Sequence, residues 1–251
     1  MDTGNKILFF GDTHGGFDHC AEIVRQIKPL AIVFLGDIQT PYPFHKQLAD
    51  IIDLTEVWWI HGNHDTDTEQ QYDNLFLSEL KHRNLSGRVC EVAGVRIAGL
   101  GGVFRGKIWD PTQPDWNFYS PEDFMARGGF RATWRNGMNL RHRSTIFPSE
   151  YEALLTEKAD VLVTHEAPSC NRFGFQVLDN LAGYLGVHTY FHGHHHDNYD
   201  YSSHYARQGF RTYSVGYRGV TALDGRIVLP GEMDGLHENR VARIFRGSSA
   251  R

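Results

Sequence analysis

The stretch I-L-F-F-G-D-T-H, Ile7 to His14, joins an unbroken apolar run to a glycine and then to two side chains that can bind metal. A short apolar run closed by glycine predicts a buried strand that ends abruptly. The same arrangement returns in A-I-V-F-L-G-D, Ala31 to Asp37, and in V-W-W-I-H-G-N-H-D, Val57 to Asp65. Polar residues therefore follow directly after buried strands, and this pattern determines the predicted fold.

Amphipathic segments lie between and after these strands and predict helices. The predicted helices are Cys20 to Ile27, Phe44 to Asp53, Thr68 to Leu80 and Val177 to Leu185. Alternation of strands and helices is typical of parallel sheets with crossover helices. Further strands are predicted at Val89 to Val92, Val95 to Leu100, Asp160 to Thr164 and His188 to Phe191. The segments 211–215 and 220–229 alternate in polarity, which favours antiparallel hairpins.

Composition narrows the class of protein. The chain has 251 residues, of which 41% are hydrophobic, so it can bury a substantial core. A net charge of −5 argues against general affinity for long nucleic acid or anionic membranes. Its three cysteines lie far apart and predict neither a disulfide framework nor a cysteine zinc site. No secretory signal or membrane span is evident, and we expect a cytoplasmic protein.

Metal-capable side chains cluster after the predicted strands. They are Asp12, His14, Asp37, Asn63, His64, His165, His194 and His196. Ligand sites in open α/β sheets form beyond the carboxyl ends of the strands, so these side chains are expected to converge. Imidazole, carboxylate and amide ligands without thiolate suit manganese, iron, zinc or cobalt. The sequence therefore predicts a site for two divalent transition-metal ions.

Five blocks occur in a fixed order between residues 12 and 196: D-T-H, G-D, G-N-H-D, T-H and G-H-H-H. This series resembles the calcineurin-like metallophosphoesterase superfamily, whose pattern is D-x-H, G-D, G-N-H-D/E, a lone H and G-H-x-H. The resemblance implies an α/β fold of the α+β sandwich type, with two packed mixed β-sheets flanked by helices. It also implies a dinuclear metal site at the carboxyl ends of the strands, within one domain over residues 1–251.

The resemblance assigns a role to each block. Asp12, His14 and His196 would bind one metal, Asn63, His165 and His194 the other, and Asp37 would bridge both. His64 would bind no metal but would contact the phosphate and help protonate the leaving oxygen. Asp65 would orient His64, as carboxylates beside catalytic imidazoles do. The remaining histidines of the H-G-H-H-H run, His192 and His195, are predicted not to be ligands.

The activity implied is hydrolysis of a small phosphoester by a hydroxide that bridges two metals. Phosphodiesters are slightly favoured over phosphomonoesters. One alternative is a serine/threonine-type protein phosphatase, but that branch carries G-D-x-x-D-R-G and G-N-H-E, and this chain has neither. Another alternative is a non-catalytic scaffold of the same fold, which is disfavoured because every ligand position is intact. The sequence predicts neither the physiological substrate nor the oligomeric state.

Residues 101–143, rich in glycine, tryptophan and arginine, interrupt the strand pattern and are predicted to form an inserted lobe or lid. Arg127, Arg131 and Arg135 recur every four residues and would share one face of a helix. The guanidinium groups of these three, and those of Arg141 and Arg143, could bind substrate phosphate in place of the missing family arginine. The alternative is a solvated helix face, or ion pairs with Glu122 and Asp123.

Overall fold

A computed structural model describes residues 6–127 and 133–235 of the chain. The strands within these ranges are β1 (Ile7–Phe10), β2 (Ala31–Leu35), β3 (Glu56–Ile60), β4 (Arg88–Val92), β5 (Val95–Leu100), β6 (Thr133–Trp134), β7 (Gly137–Met138), β8 (Val161–Thr164), β9 (Thr189–His192), β10 (Arg211–Ser214), β11 (Val220–Ala222) and β12 (Ile227–Leu229). The helices are α1 (Asp18–Ile27), α2 (Phe44–Gln47), α3 (Glu69–Phe76), α4 (Pro121–Arg127), α5 (Pro148–Leu154), α6 (Gln176–Leu185) and α7 (Tyr205–Gln208).

The strands form two mixed five-stranded sheets. The order is β12-β11-β1-β2-β3 in the first sheet and β10-β9-β8-β5-β4 in the second. In the first sheet β1, β2 and β3 are parallel, and β11 is antiparallel to β1. In the second, β5, β8, β9 and β10 are parallel, and β4 is antiparallel to β5. The predicted fold class, two packed mixed sheets flanked by helices, is confirmed.

The central strands are buried on both faces, which explains their unbroken apolar sequences. In β1, Ile7 and Phe9 pack against the second sheet, while Leu8 and Phe10 pack beneath the helices. The rings of Phe9 and Phe191 stack between the two sheets, with centroids 3.7 Å apart. The core therefore has three layers, one between the sheets and one under each set of helices.

Local sequence signals set several helix ends. Thr68 accepts a hydrogen bond from the Gln71 amide, and the Gln71 side chain returns the contact, so α3 begins with a capping box. Helix α6 ends at Gly186, whose left-handed backbone is readily adopted by glycine. Helix α2 is shorter than predicted and ends at Gln47, although Leu48 and Ile51 beyond it are buried. The apolar spacing there fits a series of turns as well as it fits a helix.

Strand β10 corrects one prediction. Residues 211–215 were expected to belong to an antiparallel hairpin, but β10 lies parallel to β9 at the edge of the second sheet. An edge strand exposes part of its surface, so its sequence alternates as an antiparallel hairpin strand does. The hairpin predicted over 220–229 is present as the antiparallel pair β11 and β12.

The described parts of residues 101–143 contain α4, the β6–β7 hairpin and most of a 3₁₀ helix at Leu140–Ser144. These elements contribute to the helical side of the second sheet, where Phe124 is fully buried. The assignment of this segment as an insertion within a single domain stays a prediction. Within the part of the chain that the structure describes, no helix combines the length and apolar character required to cross a membrane.

Candidate metal centre

All seven predicted ligands lie just beyond the carboxyl ends of parallel strands. The first sheet supplies Asp12 and His14 after β1, Asp37 after β2 and Asn63 after β3. The second sheet supplies His165 after β8, and His194 and His196 after β9. The two sheets thus bring residues from 12 to 196 to one place, as strand ends do in α/β folds.

The side chains form two adjoining groups with the geometry of metal sites. The first group is His14, Asp37 and His196, and the second is Asp37, His165 and His194. Within each group the potential ligand atoms all lie within 4.8 Å of one another. Asp37 belongs to both, which is the position expected of a carboxylate that bridges two cations.

Asp12 and Asn63 extend the two groups. Asp12 Oδ2 lies 3.6 Å from His196 Nε2 and accepts a hydrogen bond from the His194 amide. Its other oxygen, Oδ1, is buried and accepts no hydrogen bond from the described residues. Asn63 Oδ1 lies 3.3 Å from His165 Nε2. A buried carboxylate oxygen without a donor is costly unless a cation binds it, so these residues fit a metal pair.

The electrostatics of the centre also favour positive charge. Burial raises the pKa of Asp12 to about 8, and the Asp37 charge adds to this increase while His165 opposes it. Burial alone would raise the pKa of Asp37, but the charge and hydrogen bond of His165 hold it well below its ordinary value. Burial alone would lower the pKa of His165, but the two carboxylates raise it to about 10. Cations are therefore stabilised between these carboxylates.

Hydrogen bonds at Nδ1 orient the imidazoles of two candidate ligands, His165 and His14. The Nδ1–H of His165 donates to the Leu35 carbonyl oxygen over 2.8 Å, which leaves Nε2 facing Asp37 at 3.3 Å. The Nδ1 of His14 donates to Gln39 Oε1 over 2.5 Å, and its Nε2 lies 3.2 Å from His196 Nε2. A hydrogen bond at Nδ1 fixes both the tautomer and the ring orientation needed for metal binding at Nε2.

The backbone at the centre is strained. Four candidate ligands have positive φ values, namely His14 at 41°, Asp37 at 46°, His194 at 71° and His196 at 64°. Non-glycine residues adopt this region rarely, and such strain persists where surrounding contacts fix it, often at functional sites. Gly62 allows the close approach of neighbours, since a Cβ there would lie 2.2 Å from Asp37 Oδ1.

His64 and Asp65 differ from the predicted arrangement. The Nδ1–H of His64 donates to Asp67 Oδ2 over 2.6 Å, and the His64 amide donates to Asp37 Oδ1. Asp65 instead accepts from the amides of Gln39 and Gly62 and is almost fully buried. The prediction that Asp65 orients His64 is corrected: Asp67 has that contact. Positions three apart in a 3₁₀ helix eclipse each other, whereas adjacent ones diverge.

Two of the predicted substrate arginines, Arg127 and Arg135, pair with carboxylates outside both groups of candidate ligands. Arg127 pairs with Asp123, which was the alternative interpretation of this residue. Arg135 lies after β6 and pairs with Asp73 and Glu69 of α3. Arg135 directly follows strand β6 and has a positive φ of 49°, so it does not lie on a helix face with Arg127, and that prediction is wrong. Arg131 lies outside the described residues.

A cavity of about 640 Å³ adjoins the centre and contains Arg141, which the sequence singled out as a possible phosphate ligand, and Arg105, which it did not. Its lining residues are Asn63, Thr66, Asp67, Arg105, Asn139, Leu140 and Arg141. Asn63 is a candidate ligand that lies beside His165, and Asp67 contacts His64, so the cavity opens beside His64 and the second group of candidate ligands. The only sequence signal for Arg105 was its position in the arginine-rich segment.

His192 and His195 belong to neither ligand group. His192 is buried and contacts the carbonyl oxygen of Gly193 through Nδ1. His195 stacks on Phe173, and its ring lies 5.9 Å from that of His192. The structure therefore separates the alternate histidines of the run, with His194 and His196 among the candidate ligands.

Comparison with known proteins agrees with the fold and the order of these residues. The family profile of the calcineurin-like phosphoesterases matches residues 5–198, and the chain belongs to this family. Members are generally hydrolases of phosphoesters that use two divalent metal ions. The predicted resemblance is thereby confirmed.

Several similar proteins span nearly the same length. A Haemophilus influenzae protein, described only as uncharacterized, is 41% identical over 224 residues, covering 89% of this chain and 96% of its own. The crystal structure of TT1561 of Thermus thermophilus is 14% identical, with a TM-score of 0.53, over 89% of this chain and 98% of that one. A second solved chain has a TM-score of 0.55 at 12% identity, over 90% of this chain and 98% of its own. These two structures support the fold alone.

Proposed function

We propose that this protein is a dinuclear metal-dependent phosphoesterase that cleaves small phosphodiesters. The observation that carries the proposal is the sharing of Asp37 between two groups of ligand atoms, each within 4.8 Å. When bound, the two metals, which are manganese, iron, zinc or cobalt by ligand type, would neutralise phosphoryl oxygens and lower the pKa of a bound water. Membership of the phosphoesterase family supports the reaction class.

The chain's own residues hold and orient this centre. Asp12, His14 and His196 would bind one metal, Asn63, His165 and His194 the other, and Asp37 both. The backbone amides of His64 and His194 each donate to one of the carboxylates, which fixes its orientation. Burial excludes water from around Asp12, Asp37 and His165, so their charges act at low dielectric.

His64 is the proposed proton donor to the leaving oxygen. Its Nδ1 is occupied by Asp67, so Nε2 is the ring nitrogen available to a substrate. Its side chain is 45% exposed, which suits contact with a ligand entering from solvent. Burial alone would lower the pKa of His64, but Asp67 and Asp37 outweigh it and raise the value. A positioned imidazole of this kind contributes about 10²–10⁴-fold to rate.

The substrate class follows from charge and from the absence of the protein-phosphatase arginine motif. A net charge of −5 disfavours long nucleic acid and anionic membranes as partners, so a small phosphoester is proposed. The cytoplasmic location expected from the sequence stays a prediction.

The test is turnover by metal-stripped protein reloaded separately with Mn, Fe, Zn or Co. An aryl phosphodiester, its matching monoester and a phosphoserine peptide would be compared. We expect metal-dependent diester hydrolysis that falls about 10²-fold or more in His64→Ala. Asp37→Asn should lose metal and activity together, because the bridging charge is removed. Arg127→Gln, a surface change at a residue that pairs with Asp123 and not with any ligand, is the matched control.

Each alternative has its own outcome in this assay. Turnover of the peptide with little diester hydrolysis would indicate a protein phosphatase. Turnover of the monoester alone would replace the diester proposal. Protein that binds two metals and hydrolyses none of the three would support a non-catalytic scaffold. Full activity in Asp37→Asn with both metals retained would refute the bridging role.

A further inference from the structure

The cavity beside the ligand groups contains one firmly held arginine. Arg105 Nη1 donates to the Ser144 carbonyl oxygen and to Thr145 Oγ1, each over 2.8 Å, and Nη2 donates to Ser144 Oγ over 3.3 Å. Ser144 is fully buried, and its hydroxyl also contacts Thr66 over 2.7 Å. The guanidinium is therefore fixed before any ligand arrives, which reduces the entropy lost on binding.

Some N–H donors of Arg105 make no hydrogen bond with the described residues. No described residue accepts a hydrogen bond from the Nε–H of Arg105. No carboxylate of the described residues lies within ion-pair distance of its guanidinium group. The nearest acidic groups act only through space: Glu166 is bonded to the Phe104 amide and Asp67 to His64. Most buried or half-buried arginines satisfy their charge with a carboxylate, so this one has capacity for an anion.

Arg141 supplies a second cation at the mouth of the same cavity. It is exposed, and its side chain has no hydrogen bond or ion pair with any residue in the described ranges. Burial lowers the pKa of Arg105 to about 10, and the positive charge of Arg141 is the next contribution. An anion bound between the two guanidinium groups would offset the electrostatic repulsion between them.

The cavity carries net positive charge despite one carboxylate. Arg105 and Arg141 face Asp67, whose Oδ2 is already occupied by His64. Asn63 and Asp67 connect the cavity to the ligand groups, so a molecule with its ester at the metals would extend into it. About 640 Å³ is ample room for a second phosphate and the atoms that link it.

We propose that Arg105 and Arg141 bind a second phosphate group of the substrate, beside the phosphoester that is cleaved. This inference rests on the proposed function and narrows its substrate class to small phosphoesters that carry a further phosphate. The planar guanidinium favours phosphate oxygens because it can donate two parallel hydrogen bonds. Arg127 and Arg135, paired with carboxylates on the surface, have no part in this subsite.

Calorimetric titration of manganese-loaded protein tests the subsite without requiring turnover. The probes are inorganic phosphate, pyrophosphate and 1,3-propanediol bisphosphate. We expect at least one two-phosphate probe to bind about 10-fold or more tightly than phosphate, as charge-assisted hydrogen bonds to two arginines would give. Arg141→Gln and Arg105→Gln should each remove most of that gain. Arg127→Gln should retain it.

The variants separate this inference from the proposed function. Arg141 is exposed and its side chain makes no hydrogen bond or ion pair within the described ranges, so Arg141→Gln decides the test even if Arg105→Gln disturbs the Ser144 loop. An equal affinity for all three probes, or a gain that persists in Arg141→Gln, would overturn the subsite. Aryl diester turnover with that result would leave the phosphoesterase proposal standing. Arginine-dependent binding of a two-phosphate probe without ester hydrolysis would support the subsite and contradict the phosphoesterase proposal.

Discussion

Asp65 and Asp67 lie two positions apart, yet their carboxylates have different surroundings. Asp67 is half-exposed and holds the imidazole of His64, whereas Asp65 is buried and ties together the loops after β2 and β3. Burial raises the pKa of Asp65 to about 7, and the Asp37 charge adds to the increase. At the scale of single residues, one carboxylate orients His64, the proposed proton donor, and the other maintains the loops around it.

This difference predicts that Asp67→Asn lowers the catalytic rate, whereas Asp65→Asn lowers the stability of the fold. Asp67→Asn should lower kcat about 10-fold while metal content and the free energy of unfolding are retained, because it weakens only the contact to His64. Asp65→Asn should lower the free energy of unfolding by about 1–3 kcal/mol, because an amide cannot accept as well from two backbone N–H groups. Steady-state kinetics, elemental analysis and urea unfolding measure the three quantities.

Reversed results would contradict the assignment. If Asp65→Asn lowered kcat with normal stability while Asp67→Asn behaved like the wild type, the originally predicted role of Asp65 would be restored. The double change His64→Ala with Asp67→Asn provides the control. Its kcat should equal that of His64→Ala alone if Asp67 acts through the imidazole.

At the scale of elements, the strand ends are held in place by contacts between the sheets. Phe9 of β1 and Phe191 of β9 stack in the middle of the sandwich, and both are fully buried. Asp12 follows β1, while His194 and His196 follow β9. The stacked pair therefore fixes the distance between the two strands that carry Asp12 and His196, proposed ligands of the same metal.

Phe191→Ala should cost about 3–5 kcal/mol of unfolding free energy, since a large buried ring is lost and the rigid sheets cannot close the cavity fully. Urea denaturation at equilibrium measures this cost. Leu77→Ala is the control: Leu77 is 60% exposed, and its change should stay within about 0.5 kcal/mol. Equal effects of the two substitutions would argue against a tightly packed interface between the sheets.

At the scale of the whole molecule, the candidate ligands come from both sheets. Asp12, Asp37 and Asn63 follow strands of the first sheet, and His165, His194 and His196 follow strands of the second. A bound metal pair would thus link two layers that otherwise meet through apolar packing. Ligands that bind only the folded state stabilise it according to their concentration and affinity.

Metal removal should therefore lower the melting temperature. At 100-fold excess over its dissociation constant, one metal adds about 2.7 kcal/mol, which corresponds to roughly 5–10 °C for a chain of this size. Scanning calorimetry of manganese-loaded and chelator-treated protein measures the shift, with Asp37→Asn as a variant that should lose most of it. A metal that binds without raising the melting temperature would show that the folded state holds it no better than the unfolded chain.

The sequence by itself determined the sheets' central strands and the identities of the candidate ligands. Both are local properties: unbroken apolar runs ended by glycine predict buried strands, and the side chains that follow must lie at strand ends. Only the tertiary structure decided that Asp67 contacts His64, that Gln39 orients His14 and that Arg105 and Arg141 share a cavity with Asn63. These contacts depend on exact turn geometry or join segments such as 105 and 144, and no short-range pattern encodes such distances through space.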